Sequence, residues 1–276
     1  MSQAFHPIVP LHLVQGIRLV HALMESRFDI CIPLDEVYKF ATLKERFNAN
    51  FREGIQDAVK VDKFCVIHTK PSTSIGKLER FLVFPHAIVR YCRSLWAVER
   101  DVPVSFAGLL TSCRKEVVSN YCKDNFPSSL KMLPDLNPPF FRMLNRIRRS
   151  LGREPKSYSM QVGALTLWAS SRGRVFPIKA WDQEYYELLA RSRFVLCPDG
   201  DYVWTYRFFE SVLCGAIPVV EQVCPAYEGF VFHNVHDKLD KLKWTEDIAQ
   251  HNYELCAKRI TIPFDEMNSE LELILS

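Results

Sequence analysis

Residues 192–221, SRFVLCPDGDYVWTYRFFESVLCGAIPVVE, constrain the fold of this chain more than any other stretch. The run 194–197 is apolar and stops at Pro198-Asp199-Gly200, a turn signal, as a central strand buried in a parallel sheet would. Residues 206–213 then read as a helix, with Phe208, Phe209, Val212 and Leu213 on its buried side and Thr205 as its N-cap. Gly215 is a helix stop, and 217–220 is a second buried strand. In that helix Arg207 stands in the first turn, where the positive end of the helix dipole disfavours a cation by about 0.3 to 1 kcal/mol. A bound phosphate would reverse the penalty. Arg207 and Glu210 are three positions apart and share a helix face.

A second segment repeats the pattern. Residues 103–106 read as a short apolar strand ending at Ala107-Gly108, and Thr111 can cap a helix running to Cys122, which puts Arg114 in that helix's first turn. Two cations at two helix starts, each directly after a strand, are what a pyrophosphate cleft at the carboxyl ends of parallel strands needs. The plainer alternative is that both arginines are surface residues, or are paired with carboxylates such as Glu116 and Glu210.

These residues resemble the donor-binding signature of the exostosin-like glycosyltransferases of family 47. There a Ser-x-Phe-x-Leu-x-Pro-x-Gly loop precedes an Arg-x-x-Glu helix and a Cys-Gly-x-Ile-Pro-Val strand. The matching positions are Ser192, Phe194, Leu196, Pro198 and Gly200, then Arg207 and Glu210, then 214–219. Residues 104–114, VSFAGLLTSCR, are similar to the Phe-Ala-Gly strand end and following Arg that open the family's donor domain, so the resemblance runs over about 103–220. Thr205 replaces the usual Ser and keeps its hydroxyl.

The resemblance implies an α/β, GT-B-like fold of two Rossmann-like domains facing across a cleft. It also implies inverting transfer of a sugar from a nucleotide-diphosphate donor to a hydroxyl of a glycan or glycoprotein acceptor. The family's donors point to a UDP-sugar such as UDP-xylose, UDP-glucuronate or UDP-galactose. Arg207 would lie near the diphosphate and Glu210 near the ribose, with Gly108, Thr111, Arg114, Pro198, Gly200, Thr205 and Tyr206 around the donor. No metal or other cofactor is expected, because the arginines and helix ends meet the diphosphate charge. A non-catalytic nucleotide-sugar or glycan binding module would keep the same residues without a working base. The chain is most similar to the short, soluble members found in bacteria and in large DNA viruses of algae.

Strand candidates in the first part of the chain are 28–33 (FDICIP), 63–69 (KFCVIHT) and 80–85 (RFLVFP), separated by helical patterns such as 11–26 and 37–59. The strand at 104 and the helix to 122 follow, then a strand candidate at 175–178 and a helix at 183–191. This alternation argues for parallel sheets with helices on their faces. The expected division is an acceptor-side domain, 1–98, and a donor-binding domain, 99–276. An inverting transfer needs a base for the acceptor hydroxyl. The candidates follow the first domain's strands: Asp35, His68 and His86, with His12 and His21 on the first helix as weaker ones.

Several function classes fall away. There is no Gly-x-Gly-x-x-Gly turn for a dinucleotide enzyme. The nine cysteines are scattered without a Cys-x-x-Cys pair, against zinc ribbons and disulfide frameworks and in favour of a reducing compartment. Asp199-Gly200-Asp201 spells a metal-binding triplet but reads better as a turn, and His233-x-x-His236 lacks a third ligand. With 48% hydrophobic residues the chain is globular, and a net charge of +3 gives no argument for nucleic acid, which is not an expected partner. No signal segment or membrane-length apolar run is read, so a soluble cytoplasmic protein is expected.

The segment 140–156, FFRMLNRIRRSLGREPK, is a basic amphipathic helix pattern after a loop at Asn137-Pro138-Pro139. Its apolar stripe, Phe140, Leu144, Ile147 and Leu151, either packs on its own domain or contacts an anionic membrane or acidic acceptor. Gripping nucleic-acid phosphates is the remaining alternative.

Overall fold

A computed structural model, which describes residues 4–129, 139–151, 158–170 and 173–276, resolves the chain into two α/β units. The first takes in the residues up to Ser94 with Val175–Gln183 and Glu254–Ser276; the second holds Leu95–Arg174 and Glu184–Tyr253. Each contains a parallel sheet, so the fold class is α/β and GT-B-like in its pair of parallel-sheet units.

The first unit's parallel sheet has the order β3-β2-β1-β4, built from β1 (Ala4–Pro7), β2 (Asp29–Ile32), β3 (Arg52–Glu53) and β4 (Val59–Val61). Helix α1 (Val14–Leu23) is buried along nearly its whole length. Gly16 lets that helix pass the Pro10 carbonyl, into which any Cβ would run. His21 lies inside this packing, where burial and the neighbouring Arg18 push its pKa down to about 3. It is a neutral core imidazole.

A separate antiparallel sheet holds β5 (Phe64–Ile67), β6 (Ser72–Ile75) and β7 (Leu78–Arg80). The 63–69 strand is therefore real but antiparallel, and the 80–85 strand ends at Arg80. Beyond it the Phe84 amide donates to the Ile260 carbonyl (2.7 Å), outside any sheet. The helix expected over 37–59 is a 3-10 turn, Val37–Phe40, and α2 (Ala41–Phe47). Asn48 takes the left-handed conformation (φ 52°) and stops it, a role asparagine fills almost as well as glycine. The expected strand at 175–178 is a turn: the Lys179 amide bonds the Val175 carbonyl at 2.7 Å, and Pro177 has no amide for a ladder. Helix α3 (His86–Ser94) completes this part of the unit.

The C-terminal helix Phe264–Leu275 belongs to the first unit. Its Glu270 Oε1 accepts from the Lys77 amide (2.7 Å), and Glu266 pairs with Arg80 (2.9 Å). The single boundary expected near 98 is thus an interleaved division, with the chain returning inside the helix Glu246–Ile260.

The second unit is a six-stranded sheet of β8 (Val102–Leu109), β9 (Tyr158–Val162), β10 (Leu165–Ser170), β11 (Ser192–Cys197), β12 (Ile217–Val220) and β13 (His233–Asn234). Its order is β13-β12-β11-β8-β10-β9, and β9 alone runs antiparallel. The register sets Phe194 beside Val104 and Ile217, so the carboxyl ends of β8, β11 and β12 lie side by side. Its helices are α4 (Ser112–Asn125), α5 (Pro139–Ser150), α6 (Gln183–Arg191) and α7 (Tyr206–Leu213), with the first half of the helix Glu246–Ile260. The Asn137-Pro138 part of the expected loop and residues 152–156 of the basic segment lie outside the described residues.

Two polar devices pin this sheet. The hydroxyls of Ser105 and Ser192 are hydrogen-bonded between β8 and β11 (2.7 Å), and Ser192 also bonds the Leu188 carbonyl (2.7 Å). Arg100 donates Nη1 to the carbonyls of Ala190 (2.7 Å) and Ser192 (2.8 Å), and Nη2 to that of Cys214 (2.8 Å). It so caps the carboxyl ends of α6 and α7, where a cation is electrostatically favoured. Burial lowers its pKa to about 10, which leaves it charged at neutral pH.

Candidate active site

The site residues on the second unit gather at the carboxyl ends of β8 and β11. Thr205 caps α7 by accepting from the Phe208 amide (3.3 Å), and its own amide donates to the Tyr227 hydroxyl (2.9 Å). Tyr227 stacks on Phe208 with centroids 3.8 Å apart, so the first turn of α7 is fixed from both sides. Tyr206 opens the helix beside Trp204.

From that turn Arg207, 8% exposed, lays its guanidinium over the Phe106 ring (4.5 Å) and donates Nε to the Ala107 carbonyl at 2.7 Å. Its Nη1 is buried with no hydrogen-bond partner among the described residues. A buried guanidinium N–H without an acceptor costs of order 1 to 3 kcal/mol. Gly108 makes this placement possible: it has φ 147°, and a Cβ there would collide with Arg207 Nη2.

Arg114 reaches the same strand ends from α4. Thr111 caps that helix by accepting from the Arg114 amide (3.4 Å), while Arg114 Nε donates to the Asp199 carbonyl (3.0 Å) and Nη1 to that of Leu109 (3.1 Å). A Cβ at Gly200 would strike Arg114 Nη2, so the Pro198-Asp199-Gly200 turn is shaped around it. Burial, then the like charge of Arg207, lowers the Arg114 pKa from its ordinary value. The two arginines are therefore close enough to repel each other, and neither is the freely solvated surface residue of the plainer reading.

Glu210 is 3% exposed, and its two carboxylate oxygens accept from the hydroxyls of Tyr185 (2.8 Å) and Tyr186 (2.7 Å) on α6. Those hydroxyls were not singled out in the sequence. The signal was a Tyr-Tyr pair on the helix that feeds β11, which by pattern alone is only a buried aromatic face. The Tyr185 pKa stands well above its usual value, chiefly through burial and then the Glu210 charge.

Asp199 is half-buried, and its pKa is pushed up to about 6 by burial and by Glu221, against the pull of Arg114 and the Gln222 amide. Glu221 Oε2 also accepts from the Asp199 amide (3.2 Å). Above pH 6 the carboxylate is charged and opposes an anion beside Arg114; below it the opposition is lifted. Asp199→Asn is therefore expected to bind pyrophosphate several-fold more tightly at pH 7.5, about 1 kcal/mol at this kind of separation. The gain should shrink as the pH falls through 6, read by calorimetry on parent and variant at matched pH. Equal affinities at pH 7.5 would remove Asp199 from the site.

The base candidates stand at three separate places in the first unit. Asp35 is exposed just past the carboxyl end of β2. His68 follows β5, with Nδ1 2.9 Å from Gln15 Oε1. His86 opens α3; its Nε2 is bonded to the Ile262 carbonyl (2.8 Å) and its ring packs on Phe264 (4.5 Å). The amides of His86 and Ala87 donate to Glu25 (2.7 Å each), which caps that helix. His12 is exposed beyond β1, its carbonyl accepting from Lys179 Nζ (2.9 Å). Among the described residues no group of three His, Cys, Asp or Glu is placed to hold a metal ion. The His233 ring instead sits against the Lys243 backbone.

The carboxyl ends of these parallel strands thus carry two guanidinium groups and two helix N-termini, an arrangement electrostatically suited to an anion. Residues 92–236, more than half of the chain, match the exostosin GT47 domain, and the chain belongs to that family of glycosyltransferases. Among solved structures, HepE of Anabaena, determined in complex with UDP, is similar at 13% identity with a TM-score of 0.34, over 99% of this chain and 72% of that one. That likeness is too distant to place a ligand or a residue. No curated protein sequence matches the chain.

Proposed function

We propose that this glycosyltransferase takes its sugar from a nucleoside diphosphate, with uridine the expected base, and passes it with inversion to a hydroxyl of a glycan acceptor. The observation that carries the reading is the buried Arg207 Nη1, without an acceptor among the described residues, beside a second guanidinium at the strand ends. A diphosphate supplies the missing oxygens. As the bond between sugar and diphosphate breaks, negative charge grows on the leaving oxygen, and fixed cations and helix amides stabilise it without reorganising.

The acceptor hydroxyl loses its proton to a base that we assign to the first unit. Asp35 is the favoured candidate of the three, since it is exposed at the carboxyl edge of a parallel sheet, where open α/β sheets bind their ligands. His86 is tied through both its backbone and its ring. With the diphosphate charge met by Arg207 and Arg114, no divalent metal is required.

The test is a panel of uridine and guanosine diphosphate sugars, read by thermal shift and then by turnover in excess chelator. A donor at about a hundred times its Kd adds about 2.7 kcal/mol to the folded state, a clear rise in Tm. The expected result is stabilisation by a uridine donor, with turnover unchanged by chelation. Loss of turnover that manganese or magnesium restores would overturn the metal-free mechanism. Stabilisation without turnover on any glycan would leave a binding module.

A further inference from the structure

The helix α5, which plays no part in the donor site described above, carries a surface of its own. Met143 is 57% exposed, Ile147 46% and Leu151, just past the helix end, 64%. At about 100° per residue these positions fall within an arc of about 80°, one continuous apolar stripe. Each leaves about half or more of its surface open to solvent. Arg146 and Arg148 stand on either side of the stripe, each about 60° from its edge.

The sequence from Pro139 to Gly152 holds four arginines and no acidic residue, and Arg153 follows directly. Among the described residues no helix is long and apolar enough to cross a membrane, and α5 at twelve residues is only about 18 Å long. An apolar stripe flanked by cations on a short helix has one natural solvent, the boundary between anionic headgroups and acyl chains. Nucleic acid would meet the arginines but leave Met143, Ile147 and Leu151 in water.

We propose that α5 is an interfacial helix that docks the protein on an anionic lipid surface, lying in its plane with Met143, Ile147 and Leu151 buried among the acyl chains. The arginines take the headgroup phosphates at the rim.

Flotation of the full chain with phosphatidylcholine vesicles, with and without added phosphatidylglycerol, tests this. Binding to the anionic vesicles is expected to exceed that to neutral ones by at least about tenfold and to fall with salt. The double variant Ile147→Glu with Leu151→Glu alters only exposed positions and should lose at least about tenfold in vesicle binding. Met143→Trp should gain, because tryptophan favours the interface. Circular dichroism on each variant verifies that the fold is kept. Equal binding to both vesicle types, or to neither, overturns the proposal. So does a double variant that floats like the parent, or a duplex nucleic acid that displaces the parent from vesicles. A change of oligomeric state in the double variant, with vesicle binding unchanged, would assign the stripe to a second copy of the chain instead.

Discussion

Arg207→Gln should weaken nucleoside diphosphate binding by roughly tenfold to a hundredfold, the loss of one charge-assisted hydrogen-bond set worth about 1.5 to 3 kcal/mol. The side chain is not free to wander: its Nε is fixed on the Ala107 carbonyl and its plane on Phe106, leaving Nη1 as the group with unspent hydrogen-bonding capacity. Because this geometry exists before any ligand arrives, binding loses little side-chain entropy. Arg207→Lys should recover only part of the loss, since an ammonium keeps the charge but cannot bond Ala107 and present a planar fork at once. Calorimetry with the diphosphate and a melting curve for each variant separate binding from folding. If Arg207→Gln binds as tightly as the parent, the diphosphate lies elsewhere.

Glu210→Ala should cost the ligand-free protein about 3 kcal/mol or more, since two buried hydroxyls each lose a hydrogen bond to a charged group, worth about 1.5 to 3 kcal/mol apiece. The carboxylate is almost inaccessible and accepts from two tyrosine hydroxyls; without it each buried hydroxyl loses that charged acceptor. Tyr185→Phe and Tyr186→Phe should each cost about 1 kcal/mol, because the carboxylate keeps one partner. Urea denaturation without nucleotide measures all three. A stable Glu210→Ala variant would mean that the carboxylate serves a ligand alone.

What the sequence disclosed and what it concealed follow from the range of the interactions involved. The unit 192–221 was legible because strand, cap and helix stop are all local signals: Thr205 caps α7, Gly215 ends it with φ 76°, and both strands are unbroken apolar runs. The convergence of Arg114 and Arg207 was legible for the same reason, each being one turn into a capped helix after a strand. The 37–59 pattern misled because a single left-handed Asn48 outweighs a periodicity that continues past it. The pairing of Glu210 with Tyr185 and Tyr186 was not legible: it depends on α6 and α7 packing side by side, a contact that no local spacing records. The short strand β1 was missed because four residues carry too little pattern to read.

The interleaved chain path has a consequence for synthesis. The second unit is complete once Tyr253 has been made, whereas the first, begun earlier, still lacks the helix Phe264–Leu275 that satisfies Lys77 and Arg80. In chain order, therefore, the residues of the later unit are all present before those of the earlier one, the reverse of the usual N-terminal-first arrangement. A chain truncated between residues 253 and 264 keeps every residue of the second unit but leaves the antiparallel sheet of β5 to β7 without the helix that holds Lys77 and Arg80, so aggregation and proteolysis would begin in the amino-terminal unit.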